Sequence, residues 1–173
     1  MRPSMFAAVC LAAGALGWGC GESSTLPEPP PCGSPSATPT VPSAPSGTGS
    51  GFRYTRTVQD GVNRLSKSLA EFRTAYPDRR LYRTSQFRND YVNYAGQAAC
   101  TVKALSDLSL AANVPTRFRD FDVVFKAVLA DYGTELVKGR EAVAQRNTSK
   151  YHDWWDSMDA LDARMAEALK SVN

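Results

Sequence analysis

The chain has little of the chemistry that most metalloproteins need. It contains one histidine, His152, and four cysteines in 173 residues. Zinc sites take three or four protein ligands, so His152 with the nearby Asp156 is too small a set. A di-iron bundle needs a Glu-x-x-His pair on each of two helices, and attached haem needs Cys-x-x-Cys-His. We therefore expect no metal, haem or other cofactor.

Several catalytic and binding motifs are missing as well. The sequence has no glycine-rich phosphate loop, no nucleophile elbow and no convincing Ser/His/Asp set. Basic residues exceed acidic ones by only three, which is too slight an excess for a dedicated nucleic-acid binder. The sequence favours a protein that is not an enzyme and does not bind nucleic acid.

Long hydrophobic runs are absent except near the start of the chain, where residues 5–16 read MFAAVCLAAGAL. As a helix this run covers roughly 18 Å, well short of the roughly 30 Å hydrocarbon core of a bilayer. Its length is typical of the core of a secretory signal peptide. We expect residues 1–19 to be a signal peptide, and the mature chain to have no transmembrane helix.

The end of this run resembles the lipobox of bacterial lipoproteins, in which Leu, then Ala or Ser, then Gly or Ala precede a cysteine. Gly19 and Cys20 match that pattern, whereas Leu16 lies one position early and Trp18 is bulky. The resemblance implies that Cys20 carries a diacylglyceryl group and an acylated amine, which together anchor a chain stably. The alternative is ordinary secretion, with cleavage near Ala15 or Gly19.

Proline is concentrated in residues 21–51, which hold eight of the eleven prolines together with eleven serine or threonine residues. Leu26 and Val41 are the only sizeable aliphatic residues there, so burial cannot offset the entropy of ordering. We expect a disordered tether over residues 20–51. Fully extended, it would reach on the order of 95 Å, and as a flexible coil nearer 30 Å.

Residues 52–173 contain only two prolines, Pro77 and Pro115, and their apolar side chains recur at helical spacings of three and four. Four apolar stripes result. The predicted helices span about residues 54–76, 84–113, 116–146 and 149–172. Short connections favour antiparallel neighbours, so we expect an all-α fold, an up-down-up-down four-helix bundle.

The break between the third and fourth helices is the least distinct in the sequence, because QRNTSKY at residues 145–151 has neither glycine nor proline. Asn147 suits a helix C-cap there, and Thr148 and Ser149 suit an N-cap. Asp153 and Asp156 complement the dipole of a helix that starts at this point. We therefore predict a separate fourth helix.

Two cysteines remain if Cys10 leaves with the signal peptide and Cys20 is acylated. Cys32 lies in the tether, and Cys100 lies off the apolar stripe of the second helix. Because disulfides form and persist outside the cytoplasm, we expect a Cys32–Cys100 bond, with two free thiols as the alternative. The bond would close a loop of about 69 residues, contribute up to roughly 4 kcal/mol, and hold part of the tether along the bundle.

Two surface features offer candidate contacts. Trp154 and Trp155 are neighbours, so only one can point fully into the core; the pair indicates an aromatic lid or a contact for a partner or apolar ligand. Basic residues dominate residues 52–103, with ten against four acidic ones. Four arginines cluster around the first interhelical turn and are candidates for contact with an anionic surface: Arg79, Arg80, Arg83 and Arg88.

These features together favour a lipoprotein of the cell envelope, anchored to a membrane through Cys20, whose helical domain is a non-catalytic binding, sensing or structural module. Its partner would be an envelope protein, a polymer or a small ligand. The alternative is a secreted enzyme or small-ligand carrier with a pocket between the helices near Trp154, Tyr132 and the helical glycines. Adhesion to a membrane or polymer through the arginine cluster is a third hypothesis.

Overall fold

The computed structural model describes residues 26–29, 31–32, 50–111 and 114–171. The predicted signal peptide, Cys20 and most of the predicted tether lie outside the described residues. The described residues form helices and no strands, which confirms the predicted all-α, four-helix fold. The helices are α1 (Ser50–Ala75), α2 (Ser85–Ala111), α3 (Arg119–Ala144) and α4 (Thr148–Lys170). Short 3-10 helices, Arg79–Arg83 and Thr116–Phe118, precede α2 and α3.

Consecutive helices run in opposite directions, the order expected of an up-down-up-down bundle. Gly61 of α1 lies against Leu105 late in α2, whereas Phe72 late in α1 packs on Phe87 early in α2. The remaining helix pairs follow the same opposed order, as seen in contacts of α2 with α3 and of α3 with α4: Tyr91 with Leu136, Tyr94 with Tyr132, Asp131 with Arg164, and Gly139 with Trp154.

The bundle has two distinct ends. One, which we call the arginine end, is formed by the C-terminus of α1, the 3-10 helix Arg79–Arg83 and the turn between α3 and α4. The other, the opposite end, is formed by the N-terminus of α1, the C-terminus of α4 and the 3-10 helix Thr116–Phe118. At about 1.5 Å per residue, α3 spans roughly 39 Å between them.

The core follows the predicted apolar stripes. Each helix contributes buried side chains to one continuous cluster, and a fully buried large side chain contributes about 1.5–3 kcal/mol. The largest of its fully buried members are aromatic or aliphatic: Trp154, Tyr91, Tyr132, Tyr151, Phe87, Phe125, Leu65, Leu69, Leu105, Leu129, Met158 and Met165. No helix within the described ranges is both long enough and apolar enough to cross a membrane.

The turn between α3 and α4 occurs where predicted, but the cap residues differ from expectation. Arg146 has a φ of 52°, the left-handed conformation that usually ends a helix. The Asn147 amide donates to the Ala142 carbonyl oxygen and the Arg146 amide to Val143, which satisfies the last carbonyls of α3. Asn147 is therefore the N-cap of α4 and not the C-cap of α3, since its side chain accepts from the Lys150 amide at 3.1 Å.

Part of the predicted tether lies against the bundle. Leu26 is only 8% exposed and belongs to the core cluster. The Pro27 carbonyl oxygen accepts a hydrogen bond from the Arg140 guanidinium of α3 at 3.3 Å. The tether therefore contacts the bundle at Leu26 and Pro27, in addition to the attachment at Cys32 that the predicted disulfide implies.

Candidate functional site

The most specific feature of the described chain is a disulfide that joins the tether to α2. The Sγ atoms of Cys32 and Cys100 are 2.10 Å apart and their Cα atoms 5.4 Å apart, inside the usual range for a disulfide. Cys100 is buried and Cys32 is exposed. The predicted pairing is present. It ties Cys32 of the tether to Cys100, which lies off the apolar stripe of α2.

The disulfide and the Leu26 contact hold the tether at two levels of the bundle. Pro27 contacts Arg140, which lies four residues before the end of α3 at the arginine end. Cys32 is bonded to Cys100, near the middle of α2. The chain therefore meets the bundle near the arginine end and runs towards the middle of the α2–α3 face.

The arginine cluster is built by a short, well-capped 3-10 helix. The Asp78 carboxylate accepts from the Arg80 amide at 2.8 Å and caps its start. The Thr84 amide donates to the Leu81 carbonyl oxygen at its end. Tyr82, the buried residue of this helix, packs on Phe87 with ring centroids 5.1 Å apart. These contacts fix a turn from which arginine side chains project.

Arg79, Arg80 and Arg83 are exposed and Arg88 is half-buried. None of the four forms an ion pair with a carboxylate in the part of the chain that the structure describes. The Nε of Arg88 is buried and has no hydrogen-bond partner among those residues. The cluster is therefore a positively charged surface that forms no ion pair with the described acidic side chains.

Trp154 and Trp155 are both inside the bundle, at 2% and 8% exposure. Trp154 is the more deeply buried of the two, and Tyr82 covers the ring of Trp155. The Trp155 indole N–H donates to the Tyr82 hydroxyl at 3.2 Å, and the Arg73 guanidinium lies 4.5 Å from the centre of its ring. Neither indole presents a face to a partner, and the pair forms a lid over the core.

Tyrosines crowd the same half of the core. Burial raises the pKa of the Tyr91, Tyr94, Tyr132 and Tyr151 hydroxyls well above the ordinary value. The pKa of Tyr76 rises to about 12 because of burial and its hydrogen bond to Asp90. A proton-transfer group near neutral pH would need a pKa shifted towards 7, and the pKa of each of these tyrosines is shifted away from it.

Two glycines inside helices, Gly61 and Gly139, sit against large side chains. A Cβ at Gly139 would collide with the Tyr91 hydroxyl and the Trp154 indole, and a Cβ at Gly61 would collide with Leu105. The space next to these two glycines is thus filled by neighbouring helices. The glycines allow close helix approach there.

His152 and Asp122 are two further described residues that could take part in a polar or metal site. His152 is half-buried and packs beside Tyr82, with ring centroids 5.9 Å apart, so it is less solvated than its position near a helix start suggests. The buried Asp122 accepts from the Tyr54 hydroxyl at 3.0 Å and pairs with Lys126 at 2.7 Å. Among the described residues, no group of His, Cys, Asp and Glu side chains could hold a metal ion.

Sequence reasoning missed three residues that orient the tether: Leu26, Pro27 and Arg140. The signal that points to Leu26 is its position as one of two sizeable aliphatic residues in the tether, six residues before a cysteine. Composition averaged over the segment hides it. Arg140 carries no sequence signal, since its partner is a backbone carbonyl.

No protein-family model matches the chain, and neither a curated protein nor a solved structure matches it.

Proposed function

We propose that this chain is a bacterial envelope lipoprotein, anchored through a lipid on Cys20, whose helical bundle is a non-catalytic module for binding, sensing or structural support. The observation that carries the proposal is the Cys32–Cys100 disulfide. Such bonds are rare in reducing compartments and persist outside the cytoplasm. The lipobox-like Gly19-Cys20 sequence supplies the anchor.

The mechanism of such a protein is positional. Two or three acyl chains fix it at a membrane, where a single chain would bind only marginally. The bond at Cys100 fixes the bundle to a point 12 residues after the anchor. The surface of the bundle is then available to envelope partners at a set height.

An enzyme or small-ligand carrier is the weaker alternative. It would use a pocket near Trp154, Tyr132 and the helical glycines. Trp154 and Tyr132 are fully packed in the core, and Tyr91 and Trp154 occupy the space beside Gly139. This packing supports a structural or binding role for the bundle over a role that needs an interhelical cavity.

Intact-mass analysis of the natively expressed protein tests the proposal. We expect a chain that begins at Cys20, with the added mass of a diacylglyceryl group and an acyl chain. The variant Cys20→Ser should lose that mass and leave the membrane fraction, whereas Cys10→Ser should have no effect on the mature protein. A mature chain without lipid, recovered in the soluble fraction, would contradict the proposal.

A further inference from the structure

We infer that the arginine end of the bundle docks onto anionic phospholipid headgroups of the membrane that holds the anchor. This inference rests on the proposed function, since it requires a lipid on Cys20. It adds an orientation and a chemical partner. Three observations carry it: the length of chain between Cys20 and the bundle, the end at which that chain arrives, and the charge of that end.

The effective leash is short. Cys20 is seven residues before Pro27, whose carbonyl oxygen accepts from Arg140. Seven residues span at most about 25 Å when fully extended. Residues 21–51, if free of the bundle, would reach on the order of 95 Å, so the contacts at Leu26 and Arg140 shorten the reach of the anchor about fourfold.

The leash arrives near the arginine end. Arg140 lies about 6 Å along α3 from its C-terminus and about 31 Å from its N-terminus. Because 31 Å exceeds the full length of the leash, an upright bundle cannot place its opposite end on the membrane. Had the chain been free up to Ser50, the opposite end would have been the one nearest the lipid, since α1 begins there. The disulfide and the Leu26 contact therefore reverse the orientation.

The charge of the arriving end suits anionic lipid. Arg80 and Arg83 are three residues apart on a 3-10 helix, so their side chains project from the same face. Arg79 and Lys150 are also exposed at this end. Asp78 and Asp90 keep their negative charge while they accept from the Arg80 amide and the Tyr76 hydroxyl. Residues 78–90 hold four arginines against these two aspartates, a net local charge of +2.

Each basic residue near an anionic membrane surface strengthens binding by roughly fivefold. Three exposed arginines together therefore favour the docked orientation by roughly a hundredfold over a free tumbling bundle. Guanidinium groups bind phosphate in a bidentate manner, which suits a phosphodiester headgroup. The attraction is screened by salt, because the groups are exposed.

Hydrogen exchange on the lipidated protein in vesicles tests the inference. Intact-mass analysis first confirms that the protein carries the lipid on Cys20. The protein is then reconstituted in phosphatidylcholine vesicles with and without phosphatidylglycerol. We expect slower exchange at residues 78–86 on the phosphatidylglycerol vesicles, reversal by salt, and no change at residues 114–119. The variant Arg79→Gln/Arg80→Gln/Arg83→Gln should lose the slowing.

Matched variants separate charge from position. Arg53→Gln/Arg56→Gln/Arg119→Gln removes the same charge from exposed arginines at the opposite end and should keep the slowing at residues 78–86. Leu26→Ser/Arg140→Gln/Cys32→Ser/Cys100→Ser removes all the attachments of the tether, so it lengthens the leash and should weaken the slowing. Circular dichroism checks that the helices persist. Three results with the lipidated protein would overturn the inference. They are equal exchange at both ends, the same slowing on neutral vesicles, and binding to an anionic wall polymer with no response to phosphatidylglycerol. A protein without lipid would instead overturn the proposed function.

Discussion

The Tyr91 hydroxyl donates a hydrogen bond to the Leu136 carbonyl oxygen at 3.0 Å, and so ties α2 to α3 inside the core. The Tyr151 hydroxyl, in the same aromatic cluster, is buried without a partner among the described residues. The two rings lie 6.3 Å apart. Two tyrosines in similar surroundings thus differ in whether their hydroxyl is satisfied.

This difference predicts opposite effects of one substitution. Tyr91→Phe should lower the free energy of unfolding by about 1 kcal/mol, because a made hydrogen bond is lost. Tyr151→Phe should raise it by up to about 1 kcal/mol, because an unpaired buried hydroxyl is removed with little change in volume. Denaturant unfolding of the two variants measures both; equal destabilisation would contradict this assignment of the hydroxyls.

Two glycines in α3 offer a second matched pair. A Cβ at Gly139 would collide with Tyr91 and Trp154, whereas a Cβ at Gly133 would meet nothing within 4 Å. Gly139→Ala should therefore destabilise the bundle by about 1–3 kcal/mol through overpacking. Gly133→Ala should stabilise it by up to about 1 kcal/mol through helix propensity. Thermal unfolding checks the two signs, and a stabilising Gly139→Ala would show that the helices are not closely packed there.

The turn between α3 and α4 holds one non-glycine residue in a strained backbone conformation, which a glycine would relieve. Arg146 holds a left-handed φ of 52°, a conformation that glycine adopts without the penalty of a Cβ. Arg146→Gly should be more stable than Arg146→Ala by about 1 kcal/mol, since both variants lose the side chain and only alanine keeps the Cβ. If chemical denaturation finds alanine equal to glycine, the left-handed cap is not formed in solution.

Asp162 predicts a pH dependence. Burial raises the pKa of its carboxyl, although the hydrogen bond from Ser66 and the charge of Arg73 act in the other direction. The folded state then binds the proton more tightly than the unfolded state, so this residue reduces stability as pH rises through its pKa. Asp162→Asn keeps an acceptor for Ser66 and should raise the free energy of unfolding at pH 7, where Asp162 is charged in the folded state.

The gain from Asp162→Asn should shrink as pH falls towards about 3.9 and vanish well below it, where the aspartate is protonated in both states. Urea unfolding of both proteins across this pH range measures it. Asp159→Asn is the control, because Asp159 is an exposed partner of Arg73 and its removal should give no such gain at pH 7. A constant difference between Asp162→Asn and the parent at all pH values would contradict the linkage.

The fold was largely readable from the sequence, because apolar residues at spacings of three and four define the buried face of each helix. The cap assignment at Asn147 failed because the left-handed residue is Arg146, and arginine carries no preference for that conformation. The residue that covers Trp155, Tyr82, comes from a 3-10 helix that periodicity does not reveal.

The candidate site was only partly predictable. The arginines are visible as a cluster in the sequence, and Cys32 and Cys100 were paired by elimination of the other two cysteines. The path of the tether depends on Leu26 and on a contact between Arg140 and a backbone carbonyl, which no pattern of side chains encodes. The sequence predicts one attachment of the tether, at Cys32, but a compositional estimate cannot locate the contacts at Leu26 and Pro27.

The most direct test of the central claim is a non-reducing tryptic digest of the natively expressed protein. Trypsin cuts after Arg53, Arg88 and Lys103, so residues 20–53 and 89–103 form two peptides that the disulfide joins. The account predicts one species that contains both peptides and carries the lipid on Cys20, and that separates on reduction. The account would be contradicted by a chain that keeps residues 1–19, carries no lipid, and has free thiols at Cys32 and Cys100.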